Sequence, residues 1–87
     1  MMASAFASAG VVELDCHGMT WIQAQAAVNA ALKRARAGTY RIRVIHGYHS
    51  GTVLRDMLRK SYRSHPQVLR LETGFNQGVT DLVLREF

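Results

Sequence analysis

The chain has 87 residues, of which 48% are hydrophobic, so it can build one hydrophobic core and not two. Its single cysteine, Cys16, excludes a scaffold held by internal disulfides, and no apolar run approaches the ~20 residues of a membrane-spanning helix, so we expect a cytoplasmic protein. The formal net charge of +5 favours a polyanionic partner such as nucleic acid, although many basic domains are merely well solvated.

The first ten residues are rich in alanine and serine and superficially resemble a leader. They lack the positive start and the apolar core of a secretory signal. We therefore expect residues 1–10 to form a flexible N-terminus and residues 11–87 to form the domain.

The remaining sequence predicts an α/β domain with four strands and two helices in the order βαβαββ. The predicted strands cover residues 11–16, 40–45, 68–72 and 79–84, and the predicted helices run from a capping box at Thr20 and Gln23 to a stop at Gly38, and over residues 52–64. Two right-handed crossovers would make the first three strands parallel, and the glycine-rich turn at residues 74–78 would make the fourth antiparallel to the third. The spatial order of the strands stays open.

Chemistry should gather where the parallel strands end, because ligands of open α/β sheets usually bind at that edge. The first strand ends at Asp15 and His17, which lie two residues apart and therefore point the same way. Asp15 can orient His17, set its tautomer or share a metal ion with it, and either residue can move a proton. The alternative is that Asp15 only caps the turn at Gly18 and His17 is a polar strand end.

The second strand leads into a loop of six residues, which are His46, Gly47, Tyr48, His49, Ser50 and Gly51. Its glycines permit close backbone approach, and the helix that follows begins with unpaired amides, so the loop is a candidate phosphate site. His46 and His49, with Asp15 or His17, could hold a divalent cation, or they are ordinary hydrogen-bonding residues. Tyr48 either stacks on an exposed base or covers the loop.

Three arginines, Arg55, Arg59 and Arg63, form one stripe along the second predicted helix. They make either a solvated helix face or a phosphate-binding surface that begins close to the loop. Asn76 and Gln77 are either polar contacts or turn residues. Trp21 and Met57 are predicted to pack in or near the core, and Cys16 to point inward as a small hydrophobe.

Several of these segments together resemble the small MutS-related (Smr) domain family. The segments are Leu14-Asp15-Cys16-His17-Gly18, Val44-Ile45-His46-Gly47, Gly51-Thr52-Val53-Leu54-Arg55 and the closing stretch from Gly74 to Leu84. The resemblance implies a two-layer α/β sandwich, similar to the carboxyl-terminal domain of a bacterial translation initiation factor. It also implies nucleic-acid binding, since members of the family bind nucleic acid and several nick DNA or cleave RNA, some with a divalent metal.

The family motif Leu-Asp-x-His maps onto Leu14, Asp15 and His17, while His49 stands where the second motif normally has its second glycine. One hypothesis is therefore an endonuclease of DNA repair or RNA processing, with Asp15, His17 and His46 as catalytic residues. In it the loop from Gly47 to Gly51, Arg55 and Arg59 bind phosphate, and Mg²⁺ or Mn²⁺ is a possible cofactor whose candidate ligands are Asp15, His17 and His49. The second hypothesis is a non-catalytic module that binds nucleic acid or a ribosome. A small-molecule phosphate enzyme ranks last, because the Walker and dinucleotide-binding glycine patterns are missing.

Overall fold

The computed structural model describes residues 4–47 and 52–86. Its elements in chain order are β1 (Ser4–Ser8), β2 (Val11–Asp15), α1 (Trp21–Arg34), β3 (Arg41–Ile45), α2 (Val53–Tyr62), β4 (Arg70–Thr73) and β5 (Val79–Val83). The predicted α/β fold with the order βαβαββ is confirmed, and one strand precedes it. Within the described ranges, neither helix is long and apolar enough to cross a membrane.

The five strands form one sheet in the order β1-β2-β3-β5-β4. β2 and β3 are parallel, while β5 lies between β3 and β4 and is antiparallel to both. β2, β3 and β4 therefore run in one direction, as predicted, and end at the same side of the sheet. We call this side, where the residues after Asp15, Ile45 and Thr73 lie, the carboxyl edge.

β1 corrects the expectation of a flexible start, because Ser4–Ser8 pairs antiparallel with β2. The connection is a two-residue turn in which Ala9 and Gly10 have φ values of 53° and 81°. Positive φ at both central positions is what a tight hairpin of type I′ requires, since its twist matches that of the strands. A Cβ at position 10 would lie 2.6 Å from the carbonyl oxygen of Gly38, so the turn also needs a glycine for space.

α1 begins with the predicted capping box. The Thr20 hydroxyl accepts a hydrogen bond from the Gln23 amide at 3.2 Å, and the Thr20 amide donates to Gln23 Oε1 at 3.0 Å. The helix ends at Arg34, earlier than the predicted stop at Gly38, because Ala35 is already extended with ψ of 136°.

Both helices pack on one face of the sheet and form the predicted second layer. The fully buried side chains of this core include Cys16, Val28, Ile42, Val44, Leu58, Tyr62 and Leu82. Met57 is also buried, as predicted. The prediction for Trp21 is wrong, since this residue is 48% exposed in the first turn of α1, before the buried stripe begins at Ala24.

The other face of the sheet, which we call the open face, carries ion pairs. Asp81 is only 2% exposed and accepts hydrogen bonds from Arg41 Nη1 at 2.7 Å and from Arg43 Nε at 3.1 Å. Arg41 also pairs with Glu72 at 3.0 Å, and Arg43 with Glu13 at 3.8 Å. The hydrogen bonds to Asp81 raise the pKa of both guanidinium groups. The central carboxylate thus joins β3 and β5 across the open face.

We expect Asp81→Ala to lower the free energy of unfolding by about 2–4 kcal/mol, because two guanidinium groups would lose a buried partner. Glu72→Ala is the matched control: its side chain is 34% exposed, so the same truncation should cost less than about 1 kcal/mol. Urea unfolding monitored by circular dichroism measures both. Equal losses in the two variants would contradict the central role of Asp81.

Candidate functional site

Asp15 and His17 form a contact at the carboxyl edge. Asp15 Oδ1 accepts hydrogen bonds from the Nδ1–H group of His17 and, at 3.3 Å, from its backbone amide. The hydrogen bond from the His17 side chain lowers the pKa of the Asp15 carboxyl below its usual value. Asp15 therefore both caps the turn and orients the imidazole, so the two interpretations of this residue describe one geometry.

The Asp15–His17 pair is open to solvent, with side chains that are 39% and 71% exposed. A carboxylate that accepts from Nδ1 fixes the tautomer of the neutral ring and leaves Nε2 with its lone pair. No hydrogen-bond partner of Nε2 is found in the described part of the chain. Nε2 of His17 can therefore take a proton from a bound molecule, and the Asp15 carboxylate would stabilise the resulting imidazolium.

His46 lies on the opposite side of the sheet. Asp15 is in register with Ile45, so both side chains belong to the open face, whereas His46 is the next residue and points toward the helices. There it is only 7% exposed. Its Nδ1 lies 2.8 Å from the Gly47 carbonyl oxygen, and its Nε2 lies 2.9 Å from the Thr80 hydroxyl.

Both ring nitrogens of His46 are consequently engaged. A carbonyl oxygen can only accept, so Nδ1 carries the proton and Nε2 accepts from the Thr80 hydroxyl. Burial lowers the pKa of His46, and the nearby charges of Arg55 and Arg59 lower it further, so the ring is neutral near pH 7. These two contacts hold the His46 ring in place at the end of β3.

Gly47 joins the two faces at the carboxyl edge. Its φ of +73° lies in the left-handed region, and a Cβ built on it would be 3.7 Å from Cβ of His17. The amides of His46 and Gly47 both donate to the carbonyl oxygen of Gly78 at 2.9 Å. The end of β3 is thus held between the Asp15–His17 pair and the turn that links β4 to β5.

Four candidate residues of the loop, Tyr48, His49, Ser50 and Gly51, lie outside the described residues. Over the described residues, no group of three or more His, Cys, Asp and Glu side chains is arranged to hold a metal ion. Asp15 and His17 supply two adjacent candidate ligands there, and His49 is the third candidate.

Burial separates Cys16 from this chemistry. Cys16 lies between Asp15 and His17 in the sequence, but its thiol points to the helix side of the sheet and is fully buried there. Burial raises its pKa to about 11, so the thiol stays protonated near pH 7. The prediction that Cys16 acts as a small hydrophobe is confirmed.

The arginine stripe of α2 begins on the helix side of the same edge, where the charges of Arg55 and Arg59 act on His46. Arg55 Nε is buried and has no hydrogen-bond partner among residues 4–47 and 52–86, although it lies 3.6 Å from Asp56 Oδ1. Arg59 and Arg63 have no acidic partner in the described part of the chain. The side chain of Thr52 does not cap the first turn of α2, so it occupies none of the backbone N–H donors of that turn.

Arg59 and Arg63 line a groove of about 390 Å³ between α2 and the edge strand β4. Residues 69–73 form its other wall, and Thr80, the partner of His46, also lines it. The groove therefore leads from the carboxyl edge along the unpaired side of β4.

Positive charge is distributed unevenly between the two layers. The arginines of the strands, Arg41, Arg43 and Arg70, are all in ion pairs. Across the described residues, the cations that lack an ion pair include Lys33, Arg34, Arg36, Arg59, Lys60 and Arg63, which lie on or just after the helices. Six of the seven lysines and arginines that lack an ion pair in this part of the chain thus lie in the helix layer or at its borders, and the seventh, Arg85, follows β5.

Sequence reasoning missed three residues at or near the site, namely Thr80, Asp81 and Phe75. Thr80 and Asp81 interrupt an apolar strand, and a buried polar residue in such a strand signals a partner. Phe75 is a large apolar residue in a polar turn and is 74% exposed. Its position between the turn residues Gly74 and Asn76 was the signal in the sequence that this aromatic side chain is exposed.

The sequence profile of the Smr domain matches residues 14–82 of the chain. The chain belongs to the Smr domain family. This Smr domain is similar to the crystal structure of the Smr domain of Thermus thermophilus MutS2, with 32% sequence identity and a TM-score of 0.74 over 85% of this chain and 98% of that one. Comparison with curated proteins found no match.

The resemblance predicted from the motifs is thereby confirmed. The match begins at Leu14, next to the Asp15–His17 pair, and ends at Leu82 in β5, so it includes every element that builds the carboxyl edge. Smr domains are nucleic-acid-binding and nuclease-related modules.

His46 should make the stability of this Smr domain sensitive to acid. Its pKa is lowered in the folded state, so folding excludes a proton that the unfolded chain takes up. The contribution of neutral His46 to the free energy of unfolding is complete above the ordinary pKa of a histidine, near 6.5. It is lost as the pH falls through that value toward the lower pKa that His46 has in the folded state. We expect the fall in Tm between about pH 7.5 and about pH 5 to be smaller in His46→Gln than in the wild type.

Thr80→Val is the control for this experiment, because it removes the partner hydroxyl and keeps the titrating imidazole. It should lower Tm at both pH values and retain an acid-dependent loss. Differential scanning calorimetry measures all three proteins. If Tm falls with acid as much in His46→Gln as in the wild type, other groups cause the fall.

Proposed function

We propose that this chain is a nucleic-acid-binding Smr domain that cleaves a phosphodiester strand at the carboxyl edge. The observation that carries the proposal is the solvent-exposed Asp15–His17 pair, which lies beside Gly47 at the end of β3. The pair offers a proton acceptor, and the neighbouring cations offer a place for the phosphate.

The phosphate would be held from the helix side of the edge. Arg55 supplies a guanidinium whose Nε has no hydrogen-bond partner among the described residues, and the first turn of α2, which Thr52 does not cap, supplies amides and the positive end of the helix dipole. Arg59 and Arg63 continue this surface along the groove. Gly47, Tyr48, His49, Ser50 and Gly51 stay candidates for further phosphate or base contacts.

In RNA, the attacking group would be the ribose 2′-hydroxyl. Nε2 of His17 takes the proton of this hydroxyl while its oxygen bonds to phosphorus, and the bond from phosphorus to the 5′-oxygen breaks. The leaving oxygen takes a proton from the imidazole of His49, the candidate donor, or from water. The products are a 2′,3′-cyclic phosphate and a 5′-hydroxyl. In DNA, water would attack phosphorus in place of the hydroxyl: Nε2 of His17 takes a proton from the water, one bridging P–O bond breaks, and the leaving oxygen takes a proton from solvent.

The roles of the histidines differ in this proposal. His17 is the catalytic base, and Asp15 orients it and stabilises its charged form. His46 is a positioning residue, because Gly47 and Thr80 occupy both of its nitrogens. His49 is the candidate for the proton on the leaving oxygen and for a third ligand beside Asp15 and His17. A requirement for Mg²⁺ or Mn²⁺, a cytoplasmic location and a place in DNA repair or RNA processing remain predictions.

The second candidate function is a non-catalytic module that binds nucleic acid, free or within a ribosome. The observation that favours it is His49, which occupies the position of a glycine in the second family motif. A histidine adopts positive φ less readily than glycine, so the loop can differ in shape from that of a catalytic member. This candidate predicts salt-sensitive binding without any product.

The first test is cleavage of labelled single-stranded and duplex RNA and DNA, with and without Mg²⁺ or Mn²⁺. We expect Asp15→Asn and His17→Gln to lower the cleavage rate by about 10²- to 10⁴-fold, because each removes part of the proton-transfer unit. Their affinities should change little, since neither side chain is the phosphate anchor. A 2′,3′-cyclic phosphate end would identify the 2′-hydroxyl as the nucleophile.

His65→Gln is the matched histidine control, because His65 lies after α2 and outside the proposed site. It should cleave at the wild-type rate. If Asp15→Asn and His17→Gln also cleave at that rate, the assigned roles are wrong. Binding by the wild type without cleavage in every condition would favour the non-catalytic module.

The second test concerns the groove. We expect the double variant Arg59→Gln, Arg63→Gln to bind a labelled oligonucleotide more weakly and to reduce the slope of log K against log salt by about 0.7–0.9 for each phosphate that is no longer neutralised. Lys33→Gln, Arg34→Gln removes the same charge from the end of α1 and should reduce the slope less. Fluorescence anisotropy at several salt concentrations measures both. Equal slopes in the two double variants would mean that net charge, and not the groove, sets the affinity.

A further inference from the structure

Phe75 is the most exposed of the large hydrophobic residues in the described part of the chain, at 74%. It lies in the turn between β4 and β5, at the carboxyl edge. Phe75 belongs neither to the hydrophobic core nor to the groove, so neither of them accounts for a large apolar side chain at this position. An aromatic ring in such a position is available for a binding partner.

The turn that carries Phe75 is held firmly. Asn76 Oδ1 accepts from the Gly78 amide at 2.7 Å, and the Gly74 amide donates to the Val79 carbonyl at 2.9 Å. The Gly78 carbonyl also accepts two amides from the end of β3. Phe75 is therefore presented by a constrained backbone, which lowers the entropic cost of binding a ligand.

One face of the Phe75 ring is supported by an arginine. The guanidinium carbon of Arg43 lies 5.7 Å from the ring centroid, within the range of a cation–π contact. Arg43 is itself fixed by two hydrogen bonds to Asp81, at 3.1 and 3.3 Å. The ring is thus backed by a fixed cation on the open face, and most of its surface is left to solvent.

Phe75 and the Asp15–His17 pair lie on the same face and near the same edge. Asp15 is in register with Ile45, and Arg43 precedes Ile45 by two residues along β3. Two residues span about 6.6 Å of strand and neighbouring strands are about 4.8 Å apart, so the Cα atoms of Asp15 and Arg43 are about 8 Å apart. A polynucleotide at His17 can therefore reach the ring above Arg43.

The distribution of charge orients such a strand. On the open face Arg41, Arg43 and Arg70 are already in ion pairs with Glu13, Asp81 and Glu72, whereas six of the seven lysines and arginines without an ion pair in the described ranges lie on or beside the helices; the seventh, Arg85, follows β5 at the far end of the sheet. Phosphates are consequently drawn toward α2, and the uncharged bases are left to turn toward the open face. A base needs no counter-charge, and its flat surface matches the exposed ring.

We infer that Phe75 is a stacking platform for one unpaired nucleobase, so the preferred ligand of this domain is a single strand or a nucleic acid with an unpaired nucleotide at the site. The inference rests on the proposed function and adds to it the class of substrate. Bases locked in a duplex cannot reach the ring, because their flat surfaces are covered by neighbouring base pairs.

The test compares the wild type with Phe75→Ala, Phe75→Leu and Phe75→Trp. The probes are labelled RNA and DNA oligonucleotides in three forms of the same length: single-stranded, duplex and single-stranded without bases. We expect Phe75→Ala and Phe75→Leu to bind the single strand about tenfold more weakly, and Phe75→Trp to bind it as the wild type does. Binding of the duplex and of the abasic strand should not change in any variant.

A spectroscopic readout separates stacking from general packing. A single 2-aminopurine in the strand should be quenched by the wild type and by Phe75→Trp, and not by Phe75→Ala. Phe75 is exposed, so all variants should keep the wild-type Tm, which confirms that they fold.

The outcomes distinguish this inference from the function on which it rests. If the wild type binds single strands and Phe75→Ala binds them equally well, the ring serves another occupant, such as an apolar side chain of a protein partner, and the inference fails while the proposed function stands. If Phe75→Leu retains full affinity, apolar contact and not stacking is responsible, and the inference fails again. If the wild type binds no polynucleotide at low salt, both are wrong.

Discussion

The carboxyl edge depends on one backbone oxygen, the carbonyl of Gly78, which accepts hydrogen bonds from the amides of His46 and Gly47. This shared acceptor ties the end of β3 to the turn before β5. Because of it, Gly47 comes beside His17, Thr80 comes opposite the His46 ring, and the turn with Phe75 stands over the open face. The interaction is possible only because β5 lies between β3 and β4, so that a sequence-distant turn reaches the end of a central strand.

The alternation of side chains along the strands then divides the chemistry of the edge. Asp15 belongs to the open face, where it is half-exposed and ionised, while His46 belongs to the helix face, where it is buried and neutral. Two histidines that are similar in sequence context thus have different environments. The ring of His17 is exposed to solvent, and the ring of His46 is fixed between a carbonyl and a hydroxyl oxygen.

Periodicity and chain order were enough to predict the two helices, the four strands after residue 10 and the common edge at which β2 and β3 end. These features follow from local patterns and from the handedness of parallel crossovers. The first strand could not be predicted, because Ser4–Ser8 has little β propensity and pairs only through the turn at Ala9 and Gly10. The face of His46, the burial of Asp81 and the support under Phe75 also escaped prediction, since each depends on the place of β5 in the sheet, and chain order does not determine that place. Trp21 was misjudged because hydrophobicity does not reveal where a helix extends past its core.

The first hairpin has a practical consequence for anyone who attaches something to this chain. β1 is antiparallel to β2, and Ser4 is paired with Asp15. Whatever is fused ahead of Ser4 therefore enters the fold next to the Asp15–His17 pair and would crowd it. The last strand, β5, runs in the same direction as β1 and ends beside the start of β3, where Val83 is paired with Arg41. A purification handle or a tether for surface immobilisation belongs at that far end, where it leaves the carboxyl edge clear.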